Sequence, residues 1–249
     1  LLLSSVVPGP GGGTIDRFRK DLTGHDIQFN DRFGGWHITG HNPFTKSWAN
    51  HSGIMENGQI KRIENPPGTK FRWDKYITNS SNLIAHLLLE HQVGFTNRCI
   101  EINYKFRELT HNQNLTSENI PLSNFLEKKS DTLLSYILFK NEAKLPPDTK
   151  FGNPTFISDF ERKHDAPAFS NGLRKLNLKT RLLENRCSYM IFSNSFLGLP
   201  GQFKKVLLRK LKFILEKKEG TNLFSYLSNS ERKNILHILS QSIYGFSNI

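Results

Sequence analysis

The longest helical signal in the chain lies between Asn82 and Leu109. Leu83, Ile84, Leu87, Leu88, His91, Phe95, Ile102 and Phe106 recur there at steps of three and four. That spacing places them along one side of an α-helix. Ser80 or Ser81 supplies a side-chain oxygen to cap its start. A helix of this length is the spine that other elements must pack against. His91 sits within the apolar stripe and therefore faces the core or a buried ligand. His86 and His91 are five residues apart, about 140° around the helix, so they cannot serve one site together.

Other segments extend the helical pattern. A second helix is expected from Pro121 to Lys140, with proline at a favourable first-turn position. Pro154 opens a short third helix towards His164, and Asp165–Gly172 reads as a loop. Leu182–Phe196 is apolar and helical in part. Pro200-Gly201 begins an amphipathic helix with a basic face over Gln202–Lys218, which Gly220 ends as a C′ glycine. Ser228-Asn229-Ser230-Glu231 has the form of a capping box before Ile235, Leu236, Ile238 and Leu239. The fold class is mainly α: a helical domain over 76–249 built on a long central helix. Residues 1–75 form a loop-rich region, abundant in Gly, Pro, Asn and aromatics, with a few short β-strands. Gly35–Thr39 reads as one strand closed by Gly40. Phe71-Arg72-Trp73-Asp74 reads as another strand or an extended arm.

Composition narrows the function classes. The 249 residues are 37% hydrophobic, enough for a core. No apolar run approaches the ~20 residues of a membrane span, so no transmembrane segment is expected. The net charge of +12 comes from dispersed Lys and Arg without a nucleic-acid motif, so no nucleic acid is expected as partner. Cys99 and Cys187 are too far apart for CxxC or CxxCH. They form one long-range disulfide or stay as two buried thiols. The apolar start, Leu1 to Pro8, lacks the basic flank of a signal peptide and reads as a chain beginning mid-protein.

The densest chemistry lies in Asp31–His41, where two glycines, Trp36, His37 and His41 fall within eleven residues; Trp48 and His51 follow. In a strand His37 and His41 share a face but stand ~13 Å apart, at ~3.4 Å per residue. Holding one ion between them requires a bend at Gly40. With His51 they make a candidate three-histidine metal set, zinc being the expected ion. Glu90 would then act as general base of a metal-dependent hydrolase. Against this stands the plain alternative of histidines hydrogen-bonded within a Trp-rich loop. Cys187, in an apolar and aromatic run, reads as a packed thiol. A third reading is a binding module without chemistry, whose basic helix meets an acidic partner.

Three blocks, in order, resemble a known family. They are Arg32-Phe33-Gly34-Gly35-Trp36-His37-Ile38-Thr39-Gly40, then Ser81–Gln92 with Asn97, and then Leu178–Leu182 with Cys187–Ser193 and Leu199-Pro200. The set resembles a family of large exported bacterial proteins that are cytochrome-c-like. In that family a CxxCH haem-attachment motif lies upstream of the Gly-Gly-Trp block, so it would not be in this chain. The resemblance implies a periplasmic or secreted protein with haem c, engaged in electron transfer or a redox reaction with a partner protein. It does not separate an enzyme from an electron carrier. It implies Trp36 as a pocket wall, and His91, Glu90, His41 or His51 as groups near the cofactor. Glu90 and His91 match their block directly.

Overall fold

A computed structural model describes residues 5–15, 23–69, 72–112, 122–147, 154–162, 172–217 and 222–246. Leu1, Phe71, Pro121, His164, the loop from Asp165 to Asn171, Lys218 and Gly220 lie outside the described residues. The described structure is mainly helical. It contains β1 (His51–Glu56), β2 (Gln59–Glu64), α1 (Leu83–Asn112), α2 (Leu122–Ile137) and α3 (Pro154–Glu161). There follow α4 (Asn194–Leu197), α5 (Gly201–Glu216) and α6 (Asn229–Ser242). Among the described residues no helix is long and apolar enough to cross a membrane.

The chain divides into two compact units. The first holds 1–94, 142–153 and 178–181; the second holds 95–141, 154–177 and 182–249. The division falls within α1, so the spine helix contributes residues to both.

In the first unit β1 and β2 form an antiparallel hairpin, with His51 opposite Glu64 and Glu56 opposite Gln59. Asn57 and Gly58 between them both adopt positive φ, 52° and 76°. That pair of left-handed residues is the two-residue turn that matches strand twist, and Asn-Gly is its favoured sequence. Residues 5–15 fold against this hairpin. The Gly53 amide donates to the Pro8 carbonyl at 2.8 Å, and the Ile15 amide to Val7 at 3.0 Å.

α1 is 30 residues long. Its periodic apolar residues from Leu83 to Ile102 are buried, as the spacing predicts. The cap differs from the expectation: Asn82, not Ser80 or Ser81, accepts the Ala85 amide, at 3.1 Å. The Ser81 hydroxyl is engaged elsewhere, as described below.

In the second unit α2 packs on α5, and α5 on α6. Leu133, Leu134, Phe203, Leu207, Leu211, Ile235 and Leu239 are fully buried there. Lys210 on α5 reaches Glu127 and Asp131 of α2, at 2.6 and 2.7 Å. Part of the basic face is thus neutralised within the unit. The capping box is half formed. Ser228 caps α6 by accepting the Glu231 amide at 3.1 Å. The Glu231 carboxylate turns instead to Arg186, accepting from its backbone amide at 2.8 Å and from its guanidinium at 2.6 Å. The apolar run from Leu182 is only partly helical, with a 3₁₀ turn at Tyr189–Phe192 followed by α4. Cys99 and Cys187 are both free and buried. Burial pushes the Cys99 thiol up to about 12, and the Cys187 thiol up as well. Packed, protonated thiols are the outcome, not a disulfide.

Gly34 is the tightest point of the first unit. Its amide donates to Ser5 Oγ at 2.8 Å, and its carbonyl accepts the Val6 amide at 3.1 Å. A Cβ there would stand 1.7 Å from the Val6 carbonyl oxygen. Gly34→Ala must therefore push the 5–15 segment away and break both bonds. A loss of about 3 kcal/mol is expected, from overpacking plus the lost hydrogen bonds. Denaturant unfolding followed by tryptophan fluorescence measures it, and an unshifted midpoint would contradict the close approach.

Candidate functional site

The Gly-Gly-Trp block is not a strand. Gly34 and Gly35 form a turn, with Gly35 at φ 85°, and residues 36–39 follow it without a ladder partner. The side chains and backbone amides of Asn50 and Ser81 take that role, the Asn50 backbone amide donating to the Trp36 carbonyl at 3.0 Å. The Asn50 amide accepts from the Ile38 amide and donates to the Ile38 carbonyl, both at 2.8 Å. The Thr39 amide donates to Ser81 Oγ at 3.0 Å, and the Ser81 amide to the Thr39 carbonyl at 3.2 Å. Backbone groups satisfied this way need no neighbouring strand. Phe33 enters the block at φ 63°, a conformation that costs a bulky residue on the order of 1–2 kcal/mol. Its ring is 1% exposed and lies against Phe44 at 5.1 Å and Phe29 at 6.2 Å. Burial offsets the strain.

This segment, residues 73–81 and His86 of α1 line a cavity of about 390 Å³ within the first unit. Three aromatic side chains line it: Trp36, Trp73 and Tyr76. Trp73 belongs to a 3₁₀ turn, Trp73–Lys75, rather than to a strand. Two imidazoles face the cavity, His37 and His86. Hydroxyls come from Thr39, Thr78, Ser80 and Ser81. Among the described residues the lining holds no Lys, Arg, Asp or Glu. His86 meets the Trp36 ring edge-on at 4.4 Å. Burial lowers its pKa below the usual 6.5, so the imidazole is neutral at pH 7 and both donates and accepts.

A second group of polar side chains is buried in the same unit. Arg32, Glu90, His25 and His91 are each no more than 4% exposed. Arg32 stands 3.5 Å from the Glu90 carboxylate, donates to the Gly24 carbonyl at 2.7 Å and lies over the Phe29 ring at 4.6 Å. The Nδ1 atoms of His25 and His91 are 2.8 Å apart, so one donates and the other accepts. Burial raises the Glu90 carboxyl from the usual 4.5 to about 7, while the Arg32 charge pulls it down. Desolvation outweighs the charge because the contact is long.

The residues expected from the sequence therefore separate. Trp36 and His37 line the cavity. His91 and Glu90 face the buried cluster. His41 is exposed. His51 sets its Nδ1 2.6 Å from the Ala49 carbonyl. Among the described residues no three His, Cys, Asp or Glu side chains converge as a metal-binding group, so His37, His41 and His51 do not form the zinc set. The sequence reading missed Trp73, Tyr76 and Ser81 as site residues, and His25 and Arg32 as partners of His91 and Glu90. Trp73 and Tyr76 carried a signal, being large aromatics in an otherwise polar segment. No family model matches the chain, and no curated protein or solved structure matches it.

The buried carboxyl sets a pH dependence. Its folded-state pKa is raised above the unfolded value, so its stabilising contribution is present below about 4.5 and is lost as pH rises through about 7. Stability of the wild type should fall across that window. Glu90→Gln, which keeps the shape of the protonated carboxyl, should flatten the slope. Unfolding free energies over that pH range check this, and parallel curves for the two proteins would contradict it.

Proposed function

We propose that this chain is the pocket-bearing part of an exported, c-type-cytochrome-like redox protein, working in electron transfer or a redox reaction with a partner protein. One observation supports the reading. The first two blocks that carry the resemblance pack on each other in the first unit, and residues of both line the cavity. Arg32 faces Glu90, Thr39 bonds to Ser81, and Trp36 meets His86. Blocks far apart in sequence thus meet, with Trp36, Thr39, Ser81 and His86 at the cavity and Arg32 and Glu90 buried apart from it.

The haem itself does not fit the described residues. His91 is fully buried with its Nδ1 against His25, and Glu90 is turned towards Arg32. Among the described residues the cavity lining is three aromatic side chains, two imidazoles and four hydroxyls, without a cysteine to attach a haem or an aliphatic side chain to meet the body of a porphyrin. In this reading the chain contributes a binding pocket, and the covalent haem belongs to the upstream motif that the resemblance implies. No step runs through it here.

The test is an absorption spectrum of the full-length protein, exported from a host that matures c-type cytochromes. A reduced-minus-oxidised haem c signal is expected. It should be unchanged in position by His91→Gln, because His91 does not reach the cofactor. A flat spectrum would overturn the redox reading, and a shifted band in His91→Gln would overturn the assignment of His91 to the buried cluster.

A further inference from the structure

The cavity asks for a particular kind of ligand, independently of any haem. Among the described residues its lining carries no formal charge. A charged ligand group buried there would lose its hydration without finding a counter-ion, which is strongly unfavourable. Trp73 and Tyr76 are 41% and 58% exposed, and Ile77 beside them is fully exposed. Large aromatic surfaces left to solvent at the mouth of a cavity mark a contact site. The rest of the described lining is Gly35, His37, the neutral imidazole of His86 and four hydroxyls, which can both donate and accept and which pair as Thr39 with Ser81 and Thr78 with Ser80, each at 3.3 Å.

A ligand that suits both halves must have an apolar face for the rings and hydroxyls around its edge. We propose that the Trp36–Trp73–Tyr76 cavity binds an uncharged sugar ring, one C–H face stacked on the aromatic side chains and its hydroxyls bonded to the Ser, Thr and His groups. A pyranose has that division of surface. A phenol or hydroquinone has the flat faces but only one or two hydroxyls. It would displace water from several polar groups without replacing the bonds, and each such loss weakens binding. The cavity volume, about 390 Å³, is within the ordinary range of small-molecule sites.

The test is titration of the 249-residue chain with glucose, galactose, cellobiose, maltose and hydroquinone, followed by calorimetry and tryptophan fluorescence. At least one saccharide should bind and change the fluorescence. Trp73→Ala and Tyr76→Ala should each weaken that binding roughly tenfold, as loss of an aromatic contact does. Both side chains are exposed, so the variants should keep the wild-type circular dichroism, which is recorded alongside. Silence from every saccharide at millimolar concentration would overturn the proposal. So would saccharide binding unaffected in both variants, or binding of hydroquinone alone. No haem is required, so failure here is separate from failure of the redox reading.

Discussion

The amino-terminal unit depends on one buried contact, Arg32 against Glu90. A guanidinium and a carboxyl taken out of water are costly, and neither survives without partners. Arg32 finds three: the Glu90 carboxyl, the Gly24 carbonyl and the face of Phe29. Those partners tie the irregular chain around residues 24–32 to the second turn of α1. From that anchor the next residues have little freedom. Phe33 turns through a left-handed conformation, Gly34 lies against Val6, and residues 36–39 follow the turn, where Thr39 bonds to Ser81 just before the helix.

The consequence for the site is a separation of charge. His86 and Glu90 are one turn apart on α1, yet they meet different surroundings. His86 is at the cavity beside Trp36, neutral and half-buried. Glu90 is below it, closed in with Arg32. Among the described residues the cavity therefore has uncharged walls, although Arg32 and Glu90 are buried in the same unit. A pocket of this kind discriminates by shape, stacking and hydroxyl geometry rather than by charge.

The helical part of this architecture was legible in the amino-acid sequence, because a 3.6-residue period survives whatever packs against it. α1, α5 and α6 begin within a residue or two of where the capping and proline signals place them. The irregular third was harder. Gly35–Thr39 reads as a strand, but its partners are the side chains and backbone amides of Asn50 and Ser81, and no local pattern announces them. The hairpin was legible in principle from Asn57-Gly58 between two alternating segments. For the site, spacing correctly separated His86 from His91. It could not reveal that His91 pairs with His25, 66 residues away, since that contact exists only after folding. The three-histidine set failed for the same reason: nearness in sequence did not bring the side chains together.

The most direct test of this account is hydrogen exchange at the Ile38 and Thr39 amides. Both donate to side chains and not to a strand. If those bonds hold the extended segment as a fixed wall, the two amides exchange as slowly as buried amides in the first turns of α1, and Asn50→Ala releases Ile38 first. Exchange at the rate of an open loop, with α1 still protected, would show that the segment is not fixed and that the cavity has no standing wall.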